Sequence, residues 1–235
     1  MPSKNSEKYY IGGGYYHIYN RGVEKRIIFQ DEQDYGVFLS YLKVYLLPRD
    51  DNHLRKQLSL PNIPWSEKDK ILKQLKLNNF YQTISLVCYC LMPNHFHLLI
   101  QQHDETSIDS FMNSLCTRYS MYFNKKYHRV GPLYQGVYKA ILVQSDQQLL
   151  HLTRYIHKNP LSLQGVALQT LSNQHSSYPE YIGTRDSTWI DTKQILAYFS
   201  NKNPYSSYRS FVNECAVTEE IQSLLIDDEL LEQSL

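Results

Sequence analysis

The sequence has few cysteines and no long apolar run. Its four cysteines, Cys88, Cys90, Cys116 and Cys215, follow no disulfide framework of the kind that staples small secreted domains. We interpret Cys88 and Cys90 as apolar core residues rather than zinc ligands, because the usual C-x2–4-C spacing is missing. With no recognisable signal peptide, no repeat and no bilayer-spanning run, we expect a soluble, cytoplasmic, globular protein.

A strong net charge is also lacking, but the charge is uneven along the chain. The formal net charge is +1, yet residues 214–235 hold seven acidic residues and no lysine or arginine. Residues 1–213 therefore carry 24 basic against 16 acidic residues, a net charge of +8. A basic body suits a polyanionic partner, because contacts with phosphates supply most of the affinity for nucleic acids. A surface of mixed sign with no partner would give the same composition.

Residues 92–99, Met-Pro-Asn-His-Phe-His-Leu-Leu, place two histidines in an apolar run. Alternate side chains of a strand share a face, so His95 and His97 would point one way and Phe96 the other. The two imidazoles would then lie roughly 6–7 Å apart, close enough to hold one divalent ion between them. The alternative is that both are ordinary polar residues on a solvated face.

A second motif follows about sixty residues downstream. Residues 146–158 carry apolar residues at three- and four-residue steps, which predicts a helix with Asp146 as N-cap and Pro160 at its end. On this helix Tyr155 and Asn159 are four residues apart and share a face. Together with the histidine pair, their phenol and amide oxygens would provide a nucleophile and a ligand set that suits Mg²⁺ or Mn²⁺.

The hydrophobic periodicity predicts an α+β fold. The predicted strands are residues 15–21, 83–91, 95–101 and 136–144, and the predicted helices are residues 31–47, 66–77, 107–127 and 146–158. Their order predicts a ferredoxin-like, split β-α-β antiparallel sheet with helices on one side and the histidine strand at its centre.

The same pass along the chain predicts its division into parts. Residues 1–165 would form the main domain, and the polar residues 48–80 would be an insertion over its core. Residues 166–213 would add a small C-terminal helical extension, followed by the acidic tail at residues 214–235.

Four blocks of the sequence carry a resemblance to a known family. They are residues 16–22 with 28–29, residues 89–99, residues 131–139 and residues 154–160, and a fainter match covers residues 176–212. In their residues and their order along the chain, these blocks resemble the motifs of the HUH single-tyrosine transposases, specifically those of the REP-associated branch. A lone His-x-His is weak evidence, whereas four blocks in the right order are specific.

The resemblance implies a transposase or endonuclease that cleaves and rejoins single-stranded or hairpin DNA through a 5′-phosphotyrosine. It implies Tyr155 as the nucleophile and His95, His97 and Asn159 as ligands of Mg²⁺ or Mn²⁺. A phenol with a pKa of about 10 needs a proton acceptor, for which His157 and a metal-associated water are both candidates. Relatives of this kind act as a monomer or a homodimer, and the sequence leaves both open.

Candidate contacts with DNA lie in or near the four blocks. They are Asn20, Arg21, Arg26, Arg118, Lys125, Lys126, Lys139, Arg154 and Lys158. Each could equally be an ordinary surface residue. Tyr134 and Tyr138 could stack on bases or be buried, and His17 and Tyr19 could face the site or the core.

Two positions depart from the family pattern. Asn159 stands where many relatives carry a longer glutamine, and Val137 stands where a basic residue is expected. Two other functions therefore stay open, namely a domesticated binder of structured DNA that does not cut, and a metal-dependent phosphodiester hydrolase that uses water without a covalent step.

Overall fold

The computed structural model describes residues 10–214, so Cys215 and all of the acidic tail beyond Glu214 lie outside it. Its strands are β1 (Tyr15–Arg21), β2 (Ile84–Met92), β3 (His95–Gln102) and β4 (Lys139–Leu142). They form an antiparallel sheet in the order β2-β3-β1-β4. This is the strand order of the split β-α-β arrangement, so the predicted α+β fold is confirmed and the histidine strand is internal.

The helices connect these strands and extend beyond them. They are α1 (Glu32–Leu46), α2 (Asp51–Leu58), α3 (Trp65–Leu75), α4 (Ser107–Lys126), α5 (Asp146–Lys158), α6 (Tyr178–Tyr181), α7 (Lys193–Leu196) and α8 (Pro204–Asn213). Single 3-10 turns cover Asn159–Ser162 and Leu168–Asn173. Within residues 10–214, none of the helices has the length and apolar character that crossing a membrane requires.

Helices α1 and α4 pack together on one face of the sheet. Phe38 of α1 and Phe111 of α4 are fully buried in this core together with Phe96 and Leu98 of β3. The rings of Phe38 and Phe96 lie 5.3 Å apart between centroids. The even-numbered side chains of β3 therefore belong to this first core.

The opposite face is covered as well, by α5 and by segments of residues 168–213. Leu152 of α5 and Tyr208 of α8 are buried in this second core with Leu99 of β3, and Cys88 and Cys90 of β2 are buried free thiols there, as predicted. Strand β2 is apolar on both of its faces, so both must be covered. We propose that the main domain ends near residue 165, as predicted from the sequence, although the C-terminal extension and α5 share one core.

Strand β4 is shorter than predicted and begins at Lys139. Residues 136–138 form no strand, and Tyr134 and Tyr138 are both buried whereas the residues between them are exposed. The hydroxyl of Tyr138 is hydrogen-bonded to the carboxylate of Asp109 and to the hydroxyl of Tyr10. Packing rather than base stacking accounts for both tyrosines.

One helix was not predicted, and one N-cap lies one residue earlier than predicted. Helix α2 lies in the part of the predicted insertion to which no element was assigned, and the side chain of Asp50 caps it by accepting the N–H of His53 at 2.9 Å. The N-cap of α5 is Ser145, whose hydroxyl accepts the N–H of Gln148 at 3.2 Å. Asp146 instead occupies the first turn, where its charge favours the helix dipole.

A buried carboxylate ties α1 to α4. Asp34 accepts hydrogen bonds from Lys126 Nζ at 2.8 Å and from the hydroxyls of Tyr122 and Tyr127 at 2.9 and 2.7 Å. Burial alone would raise the pKa of Asp34, but these bonds and the N–H of Gln30 hold it below its usual value.

We expect Asp34→Asn to lower the free energy of unfolding at pH 7 by about 2–4 kcal/mol, because Lys126 loses a buried counter-charge. A carboxyl whose folded-state pKa is lowered stabilises the fold above its unfolded value of 3.8, and this contribution is lost as the pH falls through the folded-state value. The difference between variant and wild type should therefore shrink below about pH 4. Urea unfolding followed by circular dichroism measures both effects.

The matched control is Asp31→Asn, which removes a more exposed carboxylate from the same lysine while keeping a residue that can cap α1. We expect a smaller loss for this variant. Equal losses at positions 31 and 34 would contradict the importance of the buried carboxylate.

Candidate active site

His95 and His97 point to the same face of the sheet, as predicted from their spacing. Both imidazoles are buried, and their ring centroids lie 4.9 Å apart. Phe96, between them, packs into the first core on the other side of the sheet. The alternative of two solvated surface histidines is therefore excluded.

His95 lies against the amide of Asn159. The Nδ1 atom of His95 is 2.6 Å from Asn94 Oδ1, which can only accept, so Nδ1 carries the ring proton. In the neutral ring Nε2 then presents a lone pair, and it lies 3.3 Å from Asn159 Oδ1, another acceptor. Two lone pairs that face each other at this distance repel, and a cation that binds both atoms would relieve the repulsion.

The same atoms fit the expected divalent ion. Adjacent ligands of an octahedral Mg²⁺, each about 2.1 Å from it, lie about 3 Å apart. Asn159 Nδ2 is buried and has no hydrogen-bond partner among residues 10–214, so no bond of this nitrogen within those residues draws the amide away from His95. Within these residues no cluster of three or more His, Cys, Asp or Glu side chains is arranged to hold a metal. The candidate ligand set therefore includes an amide oxygen, and its role in holding a metal ion stays a prediction.

Burial keeps the imidazoles neutral. It lowers the pKa of His95 to about 4, against the hydrogen bond that a protonated Nε2 would donate to Asn159, and the charge of Arg21 lowers it further. Burial, followed by the proximity of His95 and His17, places the pKa of His97 well below its usual value. Neutral imidazole is the form that binds metal ions, so these shifts suit a ligand role.

His17 is a member of the site that the sequence left undecided between site and core. Its Nε2 atom is 3.0 Å from Nδ1 of His97, and the two rings are stacked with centroids 5.2 Å apart. Tyr19 lies on the same face, with its ring centroid 6.0 Å from that of His97. The signal in the sequence was the alternation of β1, whose odd-numbered side chains share the face of the histidine pair.

Tyr155 lies beside this cluster in the same chain. Its ring centroid is 5.7 Å from that of His97 and 6.3 Å from that of His17, and the side chain is half-buried. The N–H of Asn159 bonds to the carbonyl of Tyr155, so the helical geometry continues through Asn159 and keeps the two side chains one turn apart.

Two of the predicted DNA contacts lie on the face of the site. Arg21 is paired across the sheet with His95, and its guanidinium donates to Gln135 Oε1 at 2.9 and 3.2 Å. Lys139 is paired with Tyr19 and is exposed. Directly paired residues of antiparallel strands share a face, so both cations flank the histidines.

Most of the other residues predicted to contact DNA form hydrogen bonds, ion pairs or cation–π contacts within the protein. They are Asn20, Arg26, Arg118, Lys126, Arg154 and Lys158. Arg118 lies 3.8 Å from the ring centroid of Tyr41, and the buried Arg154 lies 4.6 Å from that of Phe211. Lys125 is exposed on α4, on the far side of the sheet. A role in binding DNA stays a prediction for all of them.

The structure combines a ferredoxin-like sheet, an internal His-hydrophobic-His strand and a tyrosine-bearing helix laid over it, which is the arrangement implied by the resemblance to the single-tyrosine HUH transposases. Residues 67–159 match the model of a family described as IS200-like transposases. Over these residues the chain is similar to that family. No curated protein matches the sequence.

Two solved structures resemble the chain at low sequence identity. One is a REP-associated tyrosine transposase bound to a REP hairpin, with 12% identity, a TM-score of 0.44, and 80% of this chain and 97% of that chain covered. The other is a protein of Deinococcus radiodurans R1 provisionally named as a transposase, with 16% identity, a TM-score of 0.34, and 67% and 97% covered.

We expect His17→Phe to weaken Mn²⁺ binding by about 10-fold, because the hydrogen bond that orients His97 is lost while the aromatic volume is kept. Titration of the protein with Mn²⁺ followed by electron paramagnetic resonance measures this. His103→Phe changes an exposed histidine on the sheet edge and should leave the affinity unchanged. Equal Mn²⁺ affinities for wild type and the variant at position 17 would refute the orienting role.

Proposed function

We propose that this protein is a single-stranded DNA transposase of the REP-associated branch, which cleaves and rejoins DNA at or near hairpins through a 5′-phosphotyrosine. The observation that carries the proposal is the convergence, in one chain, of the Tyr155 ring with His97 and of Asn159 with His95. The resemblance of the four sequence blocks supports the choice of branch and of hairpin DNA.

The proposed reaction is an exchange of phosphoester bonds. The hydroxyl oxygen of Tyr155 attacks the scissile phosphorus, a new P–O bond to the phenol forms, and the P–O3′ bond breaks. The phenolic proton passes to water, and the leaving 3′-oxygen takes a proton from water to become a free hydroxyl. The phosphotyrosine keeps the ester linkage, so another 3′-hydroxyl can reverse the step and join strands without ATP.

His95, His97 and Asn159 would hold the divalent ion, Mg²⁺ or Mn²⁺. When bound, such an ion withdraws charge from a phosphate and fixes its orientation. The protein contributes neutral imidazoles, because their burial disfavours protonation, and an amide oxygen held against His95. His17 keeps the ring of His97 in place.

His157 does not fit the role of proton acceptor for Tyr155. Its Nδ1 and Nε2 atoms are engaged at 2.7 and 2.8 Å by Tyr208 and Ser177, and the ring is fully buried. Of the two candidates from the sequence, water is therefore the one we propose.

Single-stranded or hairpin DNA is the proposed partner, with Arg21 and Lys139 contacting its phosphates near the histidines. Each chain holds one proposed nucleophile, Tyr155, and can make one cut. Joining two DNA ends therefore needs either a homodimer or two sequential reactions by a monomer.

A denaturing gel tests the covalent step. With Mn²⁺ and a pool of 3′-fluorescein hairpin oligonucleotides with randomised flanks, the wild type should form a labelled protein adduct, because the 5′-phosphate of the labelled fragment stays on the tyrosine. Tyr155→Phe should abolish the adduct by removing the attacking oxygen, and His95→Ala should reduce it at least about 100-fold. Tyr205→Phe, at an exposed tyrosine of the extension, should behave as wild type.

The same gel separates the other two functions. Strand cleavage that survives Tyr155→Phe and leaves no adduct would favour the water-dependent hydrolase. Hairpin binding without cleavage in Mg²⁺ or Mn²⁺ would favour the non-cutting binder of structured DNA.

We expect Lys139→Ala to weaken binding of the same hairpin pool and to reduce the slope of log Kd against log salt by about one phosphate contact. Fluorescence anisotropy at several salt concentrations measures both. Lys70→Ala, at an exposed lysine of α3, is the control and should change neither. Identical slopes for all three proteins would argue against a phosphate contact at Lys139.

A further inference from the structure

His157 forms a polar connection between the tyrosine helix, the sheet and the C-terminal extension. Its Nδ1 lies 2.7 Å from the hydroxyl of Tyr208 on α8, and its Nε2 lies 2.8 Å from Oγ of Ser177. Ser177 Oγ also accepts the backbone N–H of Tyr89 in β2 at 2.9 Å, and the N–H of Ser177 donates to the carbonyl of Tyr89 at 3.0 Å. All three side chains are buried.

One arrangement of protons satisfies every group in this connection. Tyr208 donates its hydroxyl proton to Nδ1, and Nε2–H donates to Ser177 Oγ, which uses its second lone pair for the N–H of Tyr89. The hydroxyl proton of Ser177 then points to the carbonyl of Tyr89, 3.4 Å away. A fully satisfied buried network of this kind fixes the geometry of the groups that it joins.

The connection joins the two elements that carry the site, from the face of α5 opposite Tyr155 and Asn159. His157 is two residues from Tyr155 and two from Asn159, which corresponds to about 200° around the helix in either direction. Tyr89 is next to Cys90, which is paired across the sheet with His97. The network therefore joins the strand pair that carries the histidines to the helix that carries the tyrosine and the amide.

We propose that His157, with Ser177 and Tyr208, is a positioning element that fixes the rotation of α5 and so sets Tyr155 and Asn159 against His95 and His97. This inference rests on the proposed function. A helix rotation of about 10° moves an atom about 6 Å from the axis by about 1 Å. A displacement of that size at a reacting group can reduce a rate by about 100-fold.

The C-terminal extension is, on this proposal, part of the catalytic unit. Two of the three groups in the network, Ser177 and Tyr208, come from the segment that follows the family-matched residues 67–159. Arg154 adds a second contact between α5 and α8 by stacking on Phe211. The extension thereby orients the nucleophile of its own chain.

The test compares two Tyr→Phe variants in the full-length protein. Tyr208→Phe removes the hydroxyl bonded to His157, whereas Tyr119→Phe removes an equally buried hydroxyl that donates to the carbonyl of Ile28 at 2.6 Å in the first core. At saturating hairpin pool and Mn²⁺, we expect Tyr208→Phe and Ser177→Ala to slow single-turnover adduct formation by at least about 10-fold, with hairpin affinity unchanged. Tyr119→Phe should stay within about 2-fold of wild type.

A second readout does not depend on cleavage. Because Asn159 moves with α5, Tyr208→Phe and Ser177→Ala should also weaken Mn²⁺ binding in the paramagnetic resonance titration, by about 3- to 10-fold, and Tyr119→Phe should not. Melting temperatures of all variants, measured alongside, separate positioning from a loss of folded protein. His157→Asn extends the series and should show the largest loss of rate among the variants that remain folded at the assay temperature.

The possible outcomes distinguish the positioning role of His157 from the proposed function. Equal adduct rates and Mn²⁺ affinities for Tyr208→Phe, Ser177→Ala and Tyr119→Phe, in a wild type that forms the adduct, would overturn the positioning role alone. A wild type that forms no adduct would refute the proposed function, and the Mn²⁺ titration would still decide on positioning. A wild type that neither forms the adduct nor binds Mn²⁺ would overturn both the proposed function and the positioning role.

Discussion

The site depends on the alternation of side chains along β3, a strand that is buried on both faces. Phe96 enters one core, while His95 and His97 enter the other, and a shift of one residue in register would exchange them. Two apolar layers hold that register: α1 and α4 on one side, and α5 with the extension on the other. The burial that fixes the strand also keeps the imidazoles neutral, so folding and chemistry rest on the same constraint.

The fold was largely predictable from the sequence because its long elements are strongly periodic. Strand β1 and helix α5 have the predicted bounds, and the strand order follows from the succession of elements. The short β4 was not predictable in detail, since the burial of Tyr138 depends on a partner 29 residues away, Asp109. Helix α2 was missed because its sequence is polar and only its cap at Asp50 marks it.

For the candidate site, local periodicity predicted which residues share a face, and the structure brings His95, His97, Tyr155 and Asn159 together. It did not predict the hydrogen bond of His17, which requires knowledge of which strands are neighbours. Charge was the least informative signal. A lysine or arginine in the sequence has the same character whether it faces a phosphate or stacks on a tyrosine, and burial alone separates the two cases.

The insertion at residues 48–80 joins the sheet at the end remote from the histidines. Ile84 pairs with Gln102, whereas Met92 pairs with His95, so the two ends of β2 are separated by about 26 Å. A change in the length of α2 or α3 would thus lie away from the candidate site. The turn between these two helices is for the same reason a suitable graft point for a fluorescent reporter or an affinity handle.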